Sequence, residues 1–258
     1  MIILDKIKCG YGEKVVLNNI SGYLKRGEIT CLLGKNGAGK TTLFKTILGI
    51  LPALGGEIYY DNKTLKAFSS KAFARYISYV PQAHGTPFPF TVFDVVLMGQ
   101  YAASDNLWGK PGKKSAEIAL DCLHSLGIGH LAKKTFSKLS GGEKQMVLIA
   151  RAMAQQPAFI AMDEPTSNLD LYNQVKVLQY AKVLTERGFG VIMNTHSPQQ
   201  VLQYADTVIL LNNGTIKQWG KPNDILTTSN VADLYDTPLE IIEATMTNGD
   251  KRKVLVTI

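Results

Sequence analysis

Cysteine is scarce. Cys9, Cys31 and Cys122 are the three in a chain of 258 residues, far apart and without metal-ligand spacing. This argues against a disulfide framework and a thiolate metal cluster, and for a reducing compartment. No apolar run approaches the roughly 18–20 residues that span a bilayer. The opening Met1-Ile2-Ile3-Leu4-Asp5-Lys6 lacks the layout of a signal peptide. The expectation is a protein soluble by itself, for which any membrane role needs a partner. Aromatics make up 9% of the chain and are not interleaved with its basic residues as in a single-strand-binding groove. Net charge is +7, but the cations are scattered. The densest groups are Lys110 to Lys114, Lys133-Lys134 and Lys251-Arg252-Lys253, and they read as solvated faces. No nucleic acid is expected. Internal repeats, low-complexity segments and sustained heptads are missing too. The 45% hydrophobic share supports one large α/β domain, or a core with a smaller subdomain.

The most specific stretch present is Gly34-Lys35-Asn36-Gly37-Ala38-Gly39-Lys40-Thr41-Thr42, which fits G-x-x-x-x-G-K-[ST] in full. A short buried strand, Glu28 to Leu33, leads into it, and a helix, Thr41 to Leu48, leaves it. Glycines let the backbone curl until several N–H groups point into one concavity. With the positive end of the following helix this makes a polyphosphate site. Lys40 would reach the β- and γ-phosphates, and the Thr41 hydroxyl would ligate Mg²⁺. A plain helix-capping turn explains less, because strand, loop, Lys-Thr and helix all fall in the required order.

Around this loop, residues 2–33 alternate in short apolar runs punctuated by Gly10, Gly12, Gly22 and Gly27. They predict an antiparallel sheet edge leading into a core strand. Tyr11, between two of those glycines, can stack on adenine or pack on the core. Ile77 to Val80 is a strand ending at Pro81-Gln82, and His84 to Pro89 reads as an irregular connection. From Thr91 to about Ala154 the signal is helical: Thr91 with Asp94 can cap one helix, and Ser115 to Leu126 repeats apolar residues at helical spacing. Gly99 to Gly112, with Trp108 and Pro111, reads as a loop between them. Ser140 and Glu143 make a capping box ahead of a helix whose apolar face is Met146, Ile149, Ala150 and Met153. Ala158 to Met162 is a strand buried on both faces, followed by Asp163-Glu164-Pro165. Gln174 to Arg187 reads as a helix and Phe189 to Asn194 as a strand. Two more strands join at Asn212-Asn213-Gly214. The tail reads as a short helix or two and a last strand, Val254 to Ile258.

Paired carboxylates at the end of a buried strand are costly unless a cation or a reaction uses them. Ligands of parallel α/β sheets bind beyond the carboxyl ends of the strands. The strands ending at Leu33 and at Met162 would both deliver their groups there. Asp163 is then suited to share Mg²⁺ with Thr41, and Glu164, on the alternate side of the strand, to face a water beyond the γ-phosphate. The chemistry that follows is in-line attack of water on a nucleoside triphosphate. Gln82 and His196 each follow a predicted strand and could reach the same edge, Gln82 with a carbonyl oxygen for metal or water and His196 with a donor for the γ-phosphate. Taken singly, each is as a rule a satisfied loop residue. His84, His124 and His130 read as solvated or structural.

The phosphate loop, Gln82, Leu139-Ser140-Gly141-Gly142-Glu143, Phe159 to Glu164, Ser167-Asn168-Leu169-Asp170 and His196 occur in that order. Together they resemble the ATP-binding subunit of an ABC transporter, over essentially the whole chain. The resemblance implies an α/β fold: a P-loop (RecA-like) core at 1–85 and 156–258, with an antiparallel β edge subdomain and an inserted helical subdomain at about 86–155. It implies that Tyr11 stacks on adenine. Gly34, Asn36, Gly37, Ala38, Gly39, Lys40, Thr41 and Thr42 would cradle the phosphates, and Thr41, Gln82 and Asp163 would hold Mg²⁺. Glu164 would be the general base or water-orienting residue and His196 the switch histidine, with Gln82 also among the catalytic residues. Ser167 to Asp170 would communicate across a dimer. The subunits of this family pair head to tail, so Ser140, Gly141 and Gly142 would serve the ATP held by a second copy. Lys35 departs from the common proline, Glu143 from the frequent glutamine and Asn168 from the usual alanine.

Val80-Pro81-Gln82, Pro87 to Val92, Asp94 to Gly99, Val147 to Ala152 and Asp163 to Gln174 are similar to importers of metal chelates, the iron-siderophore, haem and cobalamin group with its molybdate relatives. Gly109-Lys110-Pro111 is more weakly similar to manganese and zinc importers. The expected partners are transmembrane permease subunits docking near the segment after Gln82 and, indirectly, a substrate-binding protein, at the cytoplasmic face of the membrane. The other class in play is a soluble ABC ATPase acting on the ribosome or DNA. Against it stand a single cassette and the lack of a coiled coil.

Overall fold

The computed structural model describes residues 1–82, 89–103 and 112–258. Contacts divide the chain into two units, Met1–Thr64 with Ile192–Ile258, and Leu65–Val191.

In the first unit, β1 (Ile2–Tyr11) pairs antiparallel with β2 (Lys14–Leu24) on one side and with β4 (Gly55–Tyr60) on the other. A two-residue strand, β5 (Lys63–Thr64), completes this sheet at the far side of β4. Burial along β2 departs from the predicted alternation: Leu17, Ile20 and Leu24 are buried and Tyr23 is exposed, with a register shift against β1 between Leu17 and Ile20 and a positive φ at Asn19. By contrast, all five residues of β3 (Ile29–Leu33) are buried. It runs parallel to β9 (Thr207–Asn212), with Leu32 opposite Ile209. The predicted turn then returns the chain as β10 (Thr215–Gly220), antiparallel to β9. Asn213 and Gly214 both take positive φ, 46° and 75°, as a two-residue hairpin turn of type I′ requires. Helix α1 (Lys40–Ile47) leaves the phosphate loop with Leu43, Phe44 and Ile47 fully buried. Each such side chain contributes about 1.5–3 kcal/mol of burial. The Ile47 carbonyl, one of those a helix end leaves without an intrahelical partner, accepts from the Tyr60 hydroxyl at 2.8 Å, which ties α1 to β4.

The rest of this unit follows β8 (Gly190–Thr195), the strand that carries the chain out of the second unit. It comprises α7 (Pro198–Tyr204), α8 (Pro222–Ile225), α9 (Thr228–Tyr235) and a terminal hairpin. The last strand, β12 (Lys251–Thr257), begins earlier than Val254, because it pairs along its length with β11 (Leu239–Thr245). The sequence does not announce β11, whose Ile241-Ile242 breaks the alternation of period two.

In the second unit, α2 (Ser70–Ala74) precedes β6 (Ile77–Val80), which runs parallel to the fully apolar start of β7 (Phe159–Asp163). Between them lie α3 (Val92–Ala103), α4 (Lys113–Ser125) and α5 (Gly141–Ala154), with α3 and α4 both packed on α5. The Thr91–Asp94 cap forms, each backbone N–H reaching the other's side chain at 3.1 Å. The chain differs from expectation at Gly99, which does not open a loop; α3 runs on to Ala103. A Cβ at Gly99 would lie 2.2 Å from the Arg151 carbonyl oxygen, so this glycine lets α3 approach α5 rather than breaking the helix. Finally α6 (Leu171–Glu186) starts ahead of Gln174, because Asp170 caps it. The expectations at His84, Pro87-Phe88, Trp108 and Gly109-Lys110-Pro111 lie outside the described residues.

Candidate functional site

The phosphate loop follows directly from β3. Gly34 is required by space: a Cβ there would lie 2.5 Å from the Leu211 carbonyl oxygen of β9. Gly39 is required by backbone shape, with φ at 98°, and Ala38 N–H closes the turn onto the Lys35 carbonyl at 3.2 Å. Lys40 is buried, and its ammonium donates to the carbonyls of Gly34 at 2.7 Å and Lys35 at 3.0 Å. The charge is thereby held on the loop's own carbonyls instead of extending into solvent. Asn36, Gly37 and Thr41 are exposed and Thr42 is buried. Tyr11, at the end of β1, is 49% exposed. His196 follows β8 and is exposed; the Tyr235 hydroxyl donates to its carbonyl at 2.7 Å.

The remaining candidates belong to the second unit. Gln82 is half-buried just after β6. Asp163 ends β7 and accepts from the Tyr79 hydroxyl of β6 at 3.4 Å. Burial, then the Asp163 charge, push the Tyr79 phenol up, so it remains a donor. Glu164 takes a left-handed φ of 44°, a conformation that costs about 1–3 kcal/mol and collects at functional sites. The Ser167 hydroxyl donates to its carboxylate at 2.8 Å.

Ser140 and Glu143 form the predicted capping box, with Ser140 N–H on the Glu143 carboxylate at 2.9 Å and Glu143 N–H on the Ser140 hydroxyl at 3.2 Å. Ser140 and Gly141 are exposed and Gly142 is buried. A Cβ on Gly142 would come within 2.2 Å of the Asn173 side chain, so the start of α6 packs on the start of α5 through this glycine. Asp170 accepts from Asn173 twice, from its backbone N–H at 2.9 Å and its side-chain amide at 2.8 Å. The backbone bond chiefly holds the Asp170 carboxyl below its ordinary range. No local sequence signal marks Asn173, Tyr79 or Tyr235, because Gly142, Asp163 and His196, which they meet, lie on other parts of the chain. Exposed His124 and His130 fit the solvated reading.

The first unit therefore holds the phosphate loop, Tyr11 and His196. The second holds Gln82, Ser140 to Gly142, Asp163, Glu164 and Asp170. No cluster of three or more His, Cys, Asp and Glu suited to a metal occurs among the described residues. The hydroxyl of Thr41, the amide oxygen of Gln82 and the carboxylate of Asp163 are hard oxygen donors of the kind Mg²⁺ takes alongside water and phosphate. None of the three is buried.

The ABC transporter family profile matches residues 17–167, more than half of the chain. The chain belongs to the ABC transporter family. ABC transporter ATP-binding domains bind ATP, and this subunit is an ATPase. It is 44% identical over 244 residues to an uncharacterised ABC transporter ATP-binding protein of Haemophilus influenzae, covering 95% of this chain and 92% of that protein. It is 37% identical over 237 residues to the hemin import ATP-binding protein HmuV of Hahella chejuensis, covering 89% and 90%. Among solved structures, a metal-chelate type ABC transporter in an inward-facing conformation superposes with a TM-score of 0.88 at 32% identity, covering all of this chain and 97% of that one. A dimeric ATP-binding cassette bound to ADP and Pi superposes with a TM-score of 0.73 at 27% identity, covering 86% and 99%. No helix among the described residues of this ABC subunit is long and apolar enough to cross a membrane.

Proposed function

We propose that this chain is the motor subunit of an importer for an iron(III)-siderophore, haem or a related metal chelate. It works as a head-to-tail homodimer around a pair of ATP molecules, on the cytoplasmic face of the membrane. The observation that carries this reading is the full-length likeness to the metal-chelate type transporter, at a TM-score of 0.88, together with the hemin-import relative. A ribosome- or nucleic-acid-acting ATPase is not favoured.

In this reading Tyr11 stacks on adenine, while the N–H groups of residues 34–42 and the Lys40 ammonium bind the phosphates. Thr41, Gln82 and Asp163 would hold Mg²⁺, which when bound neutralises phosphate charge. Glu164, set in its left-handed turn by Ser167, takes a proton from the attacking water, and His196 donates towards the γ-phosphate. Ser140, Gly141 and Gly142 present the exposed, positive end of α5 to the ATP of the second copy, and Asp170 lies beside that contact. The permease subunits dock near the segment after Gln82 and are driven by closure of the dimer. ATP moves the assembly only through its different affinity for closed and open dimers. Reconstitution with the co-purified permease and its binding protein tests the proposal. Iron chelates, haem, cobalamin and molybdate are compared for stimulation of ATPase activity. Stimulation by an iron chelate or haem supports it. Absence of a membrane partner, with co-sedimentation on ribosomes, overturns it.

A further inference from the structure

The end of α9 touches the nucleotide machinery of its own unit twice. Tyr235, the last residue of the helix, donates its hydroxyl to the His196 carbonyl at 2.7 Å. Asp236, the next residue, forms an ion pair with Lys35, the second residue of the phosphate loop and 201 positions away. Asp236 sits at a positive φ of 49°, and this single left-handed residue both ends α9 and sends its carboxylate to the loop. Aspartate is among the few side chains that tolerate such a backbone. Burial raises the Tyr235 phenol, which therefore stays a donor.

Lys35 brings an extra cation to a loop whose backbone and Lys40 already attract phosphate. An exposed ion pair adds little to folding stability. A carboxylate competing with phosphate for the same ammonium acts on affinity directly. The His196 carbonyl, in turn, is held by a side chain from a distant element, so the switch residue does not depend on its own loop alone for its position.

We propose that Tyr235 and Asp236 are positioning residues for ATP use: Tyr235 anchors the main chain that carries His196, and Asp236 masks the Lys35 charge so that nucleotide binds less tightly than the loop alone would allow. This rests on the reading that residues 34–42 and His196 handle ATP.

Asp236→Asn keeps the size and the tolerance of left-handed backbone while removing the charge. In the full-length chain, binding of a fluorescent ATP analogue competed by ATP is expected to tighten by about fivefold, the upper end for one exposed charge pair. In a Lys35→Gln background the same change has no effect, because the interaction has already gone. Tyr235→Phe keeps the ring; kcat is expected to fall by about fivefold, the scale of one lost hydrogen bond, with ATP affinity unchanged. A merely structural tyrosine would lower the melting temperature without this split. Unchanged affinity in Asp236→Asn, an equal tightening by the same change in the Lys35→Gln background, or a wild-type kcat in Tyr235→Phe overturns the proposal. Glu164→Gln is measured alongside. Wild-type hydrolysis by that variant would remove the functional reading itself, whereas its inactivity with unaltered Tyr235→Phe and Asp236→Asn variants removes only the role given to those two residues.

Discussion

Ser167 holds Glu164 in one tight turn. Its hydroxyl donates to the carboxylate at 2.8 Å and its N–H to the Glu164 carbonyl at 3.0 Å, while Glu164 keeps a φ of 44°. The carboxylate is thus aimed by its own chain before any substrate arrives. Glu164→Gln preserves the shape and removes the proposed base. Steady-state hydrolysis is expected to fall by roughly 10²–10⁴-fold, the usual contribution of a general base. ATP binding should persist, and size-exclusion chromatography with ATP should show an accumulated dimer. Hydrolysis at the wild-type rate would exclude Glu164 from the role.

The exposed Ser140 side chain opens α5, where the proposed head-to-tail arrangement would put the second copy's ATP. Ser140→Arg is expected to abolish ATP-dependent dimerisation in a Glu164→Gln background, with ATP binding to the single chain preserved. Sedimentation velocity with and without ATP reads this directly. A normal dimer would rule out that arrangement. Ser140→Ala separates the capping role: it should destabilise by about 1 kcal/mol without adding bulk.

Glu143 makes the stability of this unit depend on acid. The Ser140 N–H bond is the largest of the causes that hold the Glu143 carboxyl below its ordinary range. Such a group stabilises the fold fully above its unfolded-state pKa, and the contribution disappears as pH falls through the lower folded-state value. Glu143→Gln can still close the capping box but carries no charge. Urea unfolding at pH 7 should show wild type ahead by about 0.5 kcal/mol, as for one anion at a helix start. The gap should close as the pH drops below the carboxylate range. A gap of constant size would show that the charge of Glu143 is irrelevant.

Gly34 is set by the closeness of two strands rather than by its φ. A Cβ would stand 2.5 Å from the Leu211 carbonyl oxygen, with Ala38 Cβ at 3.2 Å. Gly34→Ala must therefore push β3 from β9 or deform the loop. Destabilisation by about 1–3 kcal/mol is expected, as for an overpacked core, with weakened nucleotide binding. At Gly37 the same substitution meets nothing within 4 Å and is limited by its φ of 83° alone. Thermal melts and nucleotide titrations of the two variants distinguish crowding from backbone strain; full stability in Gly34→Ala would mean the strands yield freely.

Features written in contiguous residues were legible without coordinates. The strand–loop–helix around Gly34 to Thr42, the capping box at Ser140 and Glu143, the apolar β7 with Asp163-Glu164 after it, and the hairpin turn at Asn213-Gly214 all follow from short-range sterics, hydrogen bonding or the solvent preference of neighbouring side chains. A peptide of ten residues already contains those constraints.

Folding alone determined the approaches between distant residues. Gly99 looked like a helix end and became a helix contact, because Arg151 lies against it. Gly142 is explained by Asn173, Asp163 gains Tyr79, and Lys35 meets Asp236 at a separation of 201 positions. The pairing of β12 with β11 belongs to the same class. None of these leaves a periodicity in the chain: each depends on where packed elements bring their backbones, and that is decided by burial summed over whole faces rather than by any local run of residues.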